Sequence, residues 1–308
     1  MTATGLALLD QAFHEANRWI DEVKEDLGET SRHRAYSALR SVLHAIRDFL
    51  PFSDAAALAR SLAPAVRGFS LDGWNPHEGP PKDPSREGFL ARVAERLIEV
   101  PEIQPDAAAR AVFRLLSRRI DEGRLPDVRT TWPAPLRLFW PSAKTETPAE
   151  RPPPRPAAEK AMRQIRNALQ EARREGVPES EFPAVAQPPP EGASRPAPRE
   201  AVSATGLASF DKTVQKTNLW LKDLMRSLGE TDRRRAFEAL RAVLGVLRDR
   251  MPADEAVQLG AQLPMILRGF YFEAWDPDRE PTRERRKEQF LSRVAKRLEG
   301  AVPGLSPE

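Results

Sequence analysis

Side chains that commonly do acid–base or metal chemistry are few in this sequence of 308 residues. Cysteine is absent, which excludes a disulfide framework, a thiolate nucleophile and cysteine-ligated zinc or iron–sulfur sites. The four histidines are His14, His33, His44 and His77. His33 and His44 stand eleven residues apart, about three helical turns, which is too far for them to share one ion. We therefore predict structural histidines, no metal site and no cofactor.

Motifs that carry catalysis are also missing from the sequence. It contains no HExxH, GxSxG or GxGxxG pattern and no phosphate-binding loop of the Walker type. A catalytic site needs an acid, base, nucleophile or metal with a positioned partner, and the sequence offers no such set. We therefore do not expect an enzyme.

Arginines and tryptophans that recur at a constant spacing of 201 residues form a second group of candidates. Arginine presents a planar fork to carboxylates while its stem packs on apolar surface, and Glu29 and Asp48 recur as available partners. We interpret the group as intradomain ion pairs and caps, with tryptophans that fill the core beneath a loop; a ligand site is the alternative. Its members are Arg34, Arg40, Arg47, Arg67 and Trp74 in the first copy and Arg235, Arg241, Arg248, Arg268 and Trp275 in the second.

The whole chain has a formal net charge of +3, and basic residues form two runs in its second half. A helix that carries such a run could dock in a major groove through phosphate contacts. The equivalent positions of the first half are less basic, and no aromatic residues interleave the charges as in a single-strand stacking platform. Nucleic-acid binding is therefore an alternative function. Its candidate contacts are Arg233, Arg234, Arg235, Arg283, Arg285, Arg286 and Lys287.

An internal repeat is the strongest pattern in the sequence. ATGLALLDQAF at Ala3–Phe13 returns as ATGLASFDKTV at Ala204–Val214, and the offset of 201 continues without a gap to Leu97 and Leu298. Because about 40 of 95 aligned positions are identical, we conclude that the segment is duplicated. A fainter similarity at an offset of 70 predicts a further three-helix repeat inside the first copy.

Apolar residues recur every three or four positions through both copies, which is the period of one helix face. We predict that Gly28 ends the first helix and that Thr30 caps the second. A third helix is predicted to begin at Ser53 or Asp54 and to end at Gly68. Since no useful stretch alternates with period two, the predicted fold class is all-α.

These helices are predicted to form two homologous helical-bundle domains joined by a Pro-rich, largely disordered linker. Residues 1–141 form a complete domain of about six helices, and residues 204–300 form a truncated copy of about four, before a disordered tail at 301–308. The linker, 142–203, holds runs such as PPPRP and QPPPEG that favour polyproline II and disorder. Within it, Ala157–Gly176 reads AAEKAMRQIRNALQEARREG, whose narrow apolar stripe predicts a helix that is marginal when isolated.

The pattern DLGETSRHRAYSALRSVLHAIRDFLPFSDAAALARSLAPAVRGFSLDGW, followed after a gap by AVFRLLSRRIDEGRLPDVRTTWPAPLRLFW, resembles an uncharacterised bacterial family, domain of unknown function 2267. The second copy resembles it in RAFEALRAVLGVLRDRMPADEAVQLGAQLPMILRGFYFEAW. The resemblance implies a compact helical domain and no established activity, substrate or cofactor, so it assigns no catalytic residue. The first copy spans the family pattern to about Pro141, whereas the second has no counterpart of its last two helices.

This shortening of the second copy leads to the functional prediction. If the early helices pack against a fifth and sixth in the first copy, the second copy leaves the matching apolar surface open. We expect Ala157–Gly176, a second protomer or a client protein to cover it. The sequence therefore favours a non-catalytic protein-interaction or adaptor protein, with nucleic-acid binding second and a small-molecule-binding helical domain third. No apolar run or leader pattern suggests a membrane or secretion, so we expect a cytoplasmic protein.

Overall fold

The computed structural model describes residues 5–82, 84–120, 132–141, 207–282 and 286–301, without the side chains of residues 300 and 301. All regular secondary structure in these ranges is helical, which confirms the predicted all-α class. The predicted linker at 142–203, with its helix at Ala157–Gly176, lies outside the described residues, as does the predicted tail beyond Ala301.

Seven α-helices make up the described part of the first repeat. They are α1 Ala7–Leu27, α2 Arg32–Phe49, α3 Phe52–Ser61, α4 Pro64–Ser70, α5 Arg86–Arg96, α6 Pro105–Arg119 and α7 Ala134–Arg137, with a 3₁₀ turn at Pro76–Glu78. Helix α6 packs against both α1 and α2, and α5 packs against α2 and α6. The helices α5 and α6 fall where α1 and α2 lie when the sequence is shifted by the 70 residues of the inner repeat.

Five α-helices make up the described part of the second repeat. They are α8 Ala208–Leu228, α9 Arg233–Arg248, α10 Ala253–Gln262, α11 Met265–Tyr271 and α12 Lys287–Ala301. Each corresponds in order to one of α1 to α5, and both α8 and α12 pack against α9. A counterpart of α6 would begin at position 306, beyond the described residues.

The predicted helix ends in the first repeat are partly confirmed. Gly28 ends α1 in the left-handed region with a φ of 64°, as predicted. The cap of α2 is Ser31, whose hydroxyl accepts a backbone hydrogen bond, and not Thr30. The prediction of a single third helix ending at Gly68 was wrong. Leu62 is extended, and Pro64 starts a separate helix, α4, because its fixed φ and missing N–H suit a first turn.

The two repeats pack against each other within one compact unit, chiefly through α4 and α11. Arg67 donates to the carbonyl of Gly269 at 2.8 Å, and Arg268 donates to the carbonyl of Gly68 at 3.1 Å. The two donors are repeat equivalents of each other, and so are the two acceptors. The interface is therefore pseudo-two-fold, as between the subunits of an isologous dimer.

Glycines allow α4 and α11 to approach this closely. A Cβ atom on Gly68 would lie 2.1 Å from the carbonyl oxygen of Met265, and one on Gly269 would lie 1.9 Å from that of Pro64. Both glycines lie inside their helices, so the prediction that Gly68 ends a helix was wrong. Their role is to permit backbone contact between the repeats.

Candidate protein-interaction surface

Helices α8 and α9 are held side by side by a short, well-capped turn. Gly229 ends α8 with a φ of 61°, and the Asp232 carboxylate accepts from the backbone N–H of Arg234 at 2.8 Å. The capped turn makes the two helices antiparallel neighbours.

The pair buries apolar side chains in two directions. Toward the main core it contributes Phe210, Leu221 and Phe237, all less than 2% exposed. Toward α12, Val246 of α9 packs with Val294 in a smaller apolar cluster. Apolar side chains that point in neither direction remain on the surface.

Those remaining side chains form an exposed apolar face. Of the eight large hydrophobic residues exposed in the described part of the chain, five lie on α8 or α9. Leu219 is 61% exposed, and Leu224 is half-buried. We call the following residues the α8–α9 face: Trp220 (41% exposed), Leu224, Leu228 (47%), Val243 (39%) and Leu247 (37%).

The first repeat shows what covers the corresponding surface there. The equivalents of Trp220, Val243 and Leu247 are Trp19, Val42 and Ile46, which are 2%, 0% and 0% exposed. Helix α6 packs against the two helices, α1 and α2, that carry these three residues. The α8–α9 face therefore corresponds to the surface that α6 covers in the first repeat, and no helix of the described ranges takes the place of α6 in the second.

Ion pairs fix the direction of α6 on its neighbour. Arg114 lies 3.5 Å from the carboxylate of Asp26, and Arg118 lies 3.5 Å from that of Glu22. Positions that ascend along α6 meet positions that descend along α1, so the two helices are antiparallel. The second repeat keeps an acidic residue, Asp223, at the position of Glu22.

Several of the repeated arginines form the intradomain pairs expected from sequence. Arg34 lies 3.5 Å from Glu29, and Arg235 lies 2.7 Å from Glu230. Arg47 pairs with Asp48 at 2.7 Å. Arg47 also donates to the backbone carbonyls of Ser70 and Asp72, and Arg248 makes the equivalent bonds in the second repeat. Arg40 pairs with Asp72, and Arg241 with Glu238 and Glu273.

Arg67 and Arg268 do something that an intradomain interpretation misses. Each is buried and donates to carbonyls of its own repeat as well as to one carbonyl of the other. Arg268 also pairs with Asp72 at 2.7 Å across the interface. Burial would raise the pKa of the Asp72 carboxyl, but Arg268 and Arg40 outweigh it and hold that pKa below its ordinary value.

Trp74 and Trp275 also lie at this junction. They are 8% and 6% exposed, and their ring centroids are 6.5 Å apart at 83°, with Phe52 against both rings. The tryptophans are thus core residues, and the core they fill is shared by the two repeats.

The two basic runs lie apart in the second repeat. Arg233 donates to Asn218, Arg235 pairs with Glu230, and Arg234 is exposed at the start of α9. Arg286 and Lys287 are exposed at the start of α12, whose Phe290 lies beneath Arg250, just past the other end of α9. Since α9 has 16 residues, the described residues of the two runs are separated by roughly 24 Å along its axis. Arg283 and Arg285 lie outside the described residues.

A cavity of about 800 Å³ lies between α9, α12 and the loop after α11. Its size suits a small molecule. Several of the charged residues that line it pair with one another: Arg241 with Glu273, and both Arg248 and Arg297 with Asp249. Asp276, Arg279, Glu280 and Arg293 also line the cavity. Internal ion pairs therefore account for part of the charge on the cavity wall.

The histidines occupy structural or surface positions. His44 is buried, with its Nε2 atom 2.7 Å from the carbonyl oxygen of Phe69, and burial together with nearby Arg47 holds its pKa well below the ordinary 6.5. His14, His33 and His77 are exposed. Within the described residues, no three carboxylate or histidine side chains group as metal ligands.

The fold and this surface define an all-helical protein of two packed repeats, and within the described residues only the first repeat carries the covering helix. The family model described as "Uncharacterized conserved protein (DUF2267)" matches residues 16–139 and 217–305, which is more than half of the chain. The chain therefore belongs to this family and contains two copies, the second shorter. No curated protein matches the chain. Among the helices of the described ranges, none combines the length and apolarity needed to cross a membrane.

Proposed function

We propose that this chain is a non-catalytic protein-interaction protein whose α8–α9 face binds an amphipathic helix of a protein partner. The observation that carries this proposal is the contrast between Trp220, Val243 and Leu247, which are 37–41% exposed, and their buried equivalents in the first repeat. In the first repeat, α6 packs against α1 and α2, the two helices that carry those buried equivalents.

A helix is the partner shape that this face favours. Helix-binding grooves read apolar residues that recur every three or four positions, and α6 shows this pattern against α1 and α2. A clustered apolar surface of this kind is typical of an interaction site, whereas scattered apolar residues are ordinary. Asp223 adds an acidic anchor at the position where Glu22 meets Arg118 in the first repeat.

The two alternatives have weaker support. A nucleic-acid interface concentrates basic residues on one surface, and the described residues of the two candidate runs lie at opposite ends of α9. Several of the charges that line the cavity of about 800 Å³ already pair with each other. The apolar face is the feature that neither of these alternatives explains.

Site-specific photocrosslinking in the full chain tests the proposal. A photoreactive amino acid replaces Trp220 or Leu247 in one pair of variants and Gln215, an exposed residue on the opposite side of α8, in a matched control. Expression in the host cell and irradiation with and without nuclease treatment would follow. We expect one discrete, nuclease-resistant protein adduct from positions 220 and 247 and none from position 215.

Other adducts would contradict the proposal. An adduct of equal yield from position 215 would indicate non-specific contact, and a nuclease-sensitive adduct would favour nucleic-acid binding. The absence of any protein adduct at positions 220 and 247 would remove the α8–α9 face as a protein-binding surface.

A further inference from the structure

We propose that the cavity between α9, α12 and the loop after α11 binds a small aromatic molecule that carries no net charge. This site is separate from the α8–α9 face, so the inference goes beyond the proposed function and does not rest on it. Three features of the cavity support it: the space beside a tryptophan ring, the locally unfavourable residues on the wall, and the balance of charge.

Both repeats have a cavity at the same place. In the first repeat it measures about 490 Å³ and includes Trp74, whereas in the second it measures about 800 Å³ and includes Trp275. Five residues that line the larger cavity keep the residue types that line the smaller one 201 positions earlier: Arg248, Asp249, Trp275, Pro277 and Arg293. The two cavities are therefore repeat equivalents, and their differences show what the second repeat has changed.

The larger cavity lacks an aromatic ring that the smaller one contains. In the first repeat the ring of Phe52 packs against Trp74, with the ring centroids 5.0 Å apart. The equivalent of Phe52 is Ala253, which lines the larger cavity together with Trp275. Because a methyl group replaces a phenyl ring, space remains beside the indole of Trp275. An aromatic ring of a ligand can fill that space and pack against the indole.

Two residues of the wall are unfavourable choices for the local backbone. Gly245 lies inside α9, where glycine destabilises the helix relative to alanine, and it stands at the position of buried His44. A Cβ atom on Gly245 would lie 1.9 Å from Nη1 of Arg297, so glycine makes room for that guanidinium at the cavity. Ala274 has a φ of 53°, in the left-handed region, where the first repeat has Gly73. Such departures from locally favourable residues are expected at functional sites.

A buried hydroxyl on the wall lacks a hydrogen-bond partner among the described residues. The backbone N–H of Thr282 donates to the carbonyl of Asp249 at 2.9 Å, which holds this residue at the cavity. Its Oγ1 atom is buried and makes no hydrogen bond. The equivalent residue in the first repeat is Pro81, which has no polar side-chain atom to bury. Since an unpaired buried hydroxyl is unfavourable, we expect a polar group of the ligand to bond with Thr282.

The charges on the wall favour a ligand without net charge. Glu238, which pairs with Arg241 at 3.1 Å, completes a set of five arginines and five carboxylate residues among the described residues that line the cavity. A charged ligand would add one charge without a counterpart to this balanced set, which is costly in a partly desolvated site. A neutral or zwitterionic molecule keeps the balance, and the volume of about 800 Å³ suits a molecule of that size.

Four indole compounds that share one ring system and differ in charge test the proposal. At neutral pH indoleacetamide is uncharged, free tryptophan is zwitterionic, indoleacetate is an anion and tryptamine is a cation. Each is titrated into the full chain, and binding is measured by calorimetry and by the increase in Tm. We expect indoleacetamide or free tryptophan to bind at least about tenfold more tightly than indoleacetate and tryptamine.

Three variants of the full chain locate the bound probe. Ala253→Phe restores the ring of the first repeat, and it should weaken binding at least about tenfold without lowering Tm, because the added ring fills apolar space. Thr282→Val keeps the side-chain shape and removes the unpaired hydroxyl, so it should weaken binding while Tm stays the same or increases. Gln258→Phe is the matched control: it lies on α10, is exposed and does not line the cavity, so the affinity should not change.

The contrary results are specific. The proposal is overturned if neither indoleacetamide nor free tryptophan binds, or if indoleacetate or tryptamine binds more tightly than both. It is also overturned if Ala253→Phe and Thr282→Val leave the affinity unchanged, because the probe would then bind elsewhere. If Ala253→Phe lowers Tm, the affinity of the Thr282→Val chain decides. None of these results alters the proposed function, which is tested by photocrosslinking at a different surface.

Discussion

Gly269→Ala probes the contact between the two repeats with a single methyl group. The new Cβ would lie 1.9 Å from the carbonyl oxygen of Pro64 and 2.8 Å from its carbon, both of which are backbone atoms. An ordinary contact needs about 3.4 Å, so α4 and α11 must separate by roughly 1.5 Å. Backbone atoms of packed helices cannot move aside as a flexible side chain does.

The expected loss of stability follows from this separation. The bonds from Arg67 to Gly269 and from Arg268 to Gly68 measure 2.8 and 3.1 Å, and an added 1.5 Å would break both. Each buried hydrogen bond from a charged group contributes about 1.5–3 kcal/mol, so the loss should be at least about 3 kcal/mol. In an isolated helix the same substitution would stabilise by about 0.5–1 kcal/mol, because alanine favours helix. The structure therefore predicts the opposite sign from helix propensity.

Thermal and denaturant unfolding of the full chain, followed by circular dichroism, measures this change. A loss of about 3 kcal/mol corresponds to a decrease in Tm of roughly 6–12 °C for a unit of this size. Gly88→Ala is the control: it is also a helical glycine, but its Cβ would meet only the Ser85 hydroxyl at 3.0 Å and Phe49 at 4.0 Å. We expect it to remain within about 1 kcal/mol of the parent. A Gly269→Ala chain as stable as the parent would refute the close packing of the repeats.

Three further predictions concern the core and the open face. Val42→Asp should lower the free energy of unfolding by at least about 4 kcal/mol because it buries a charge. Val243→Asp, at the equivalent but 39% exposed position, should change it by less than about 1 kcal/mol. Equal losses for the two variants in denaturant unfolding would show that Val243 is as buried as Val42. Trp275→Ala should cost about 3–5 kcal/mol, and an unchanged Tm would contradict its place between the repeats. The parent should lose stability as pH falls below about 6.5, by up to about 1.4 kcal/mol per pH unit, because His44 takes up a proton in the unfolded chain but resists it when buried in the folded one. His44→Gln should remove this contribution to the slope of stability against pH. An unchanged slope would argue against a buried neutral histidine.

Local signals in the sequence carried much of the fold. The 201-residue repeat, the all-helical class and the end of α1 at Gly28 follow from periodicity and turn chemistry, which act over a few residues. The open face was expected from the missing counterpart of α6. Its individual residues were not singled out, yet Trp220 and Val243 could have been found by asking which repeat equivalents of core residues had lost their covering helix.

The contact between the repeats could not be read from the sequence. Gly68 resembles a helix terminator, and only the neighbouring α11 explains why a residue without Cβ is needed inside α4. Arg67 and Arg268 resemble members of intradomain ion pairs, since backbone carbonyls of a distant repeat leave no trace in residue type. The apolar spacing continues across Pro64, so the sequence pattern does not indicate the break between α3 and α4 there.

Methyl-selective NMR of the full chain, titrated with a synthetic peptide that has the sequence of α6, tests most directly whether the α8–α9 face accepts a helix. The methyl groups of Val243 and Leu247 should show nuclear Overhauser contacts to the valine and leucine methyls of the bound peptide. Methyl signals at these two positions that stay unchanged, while the peptide binds elsewhere or not at all, would contradict the account.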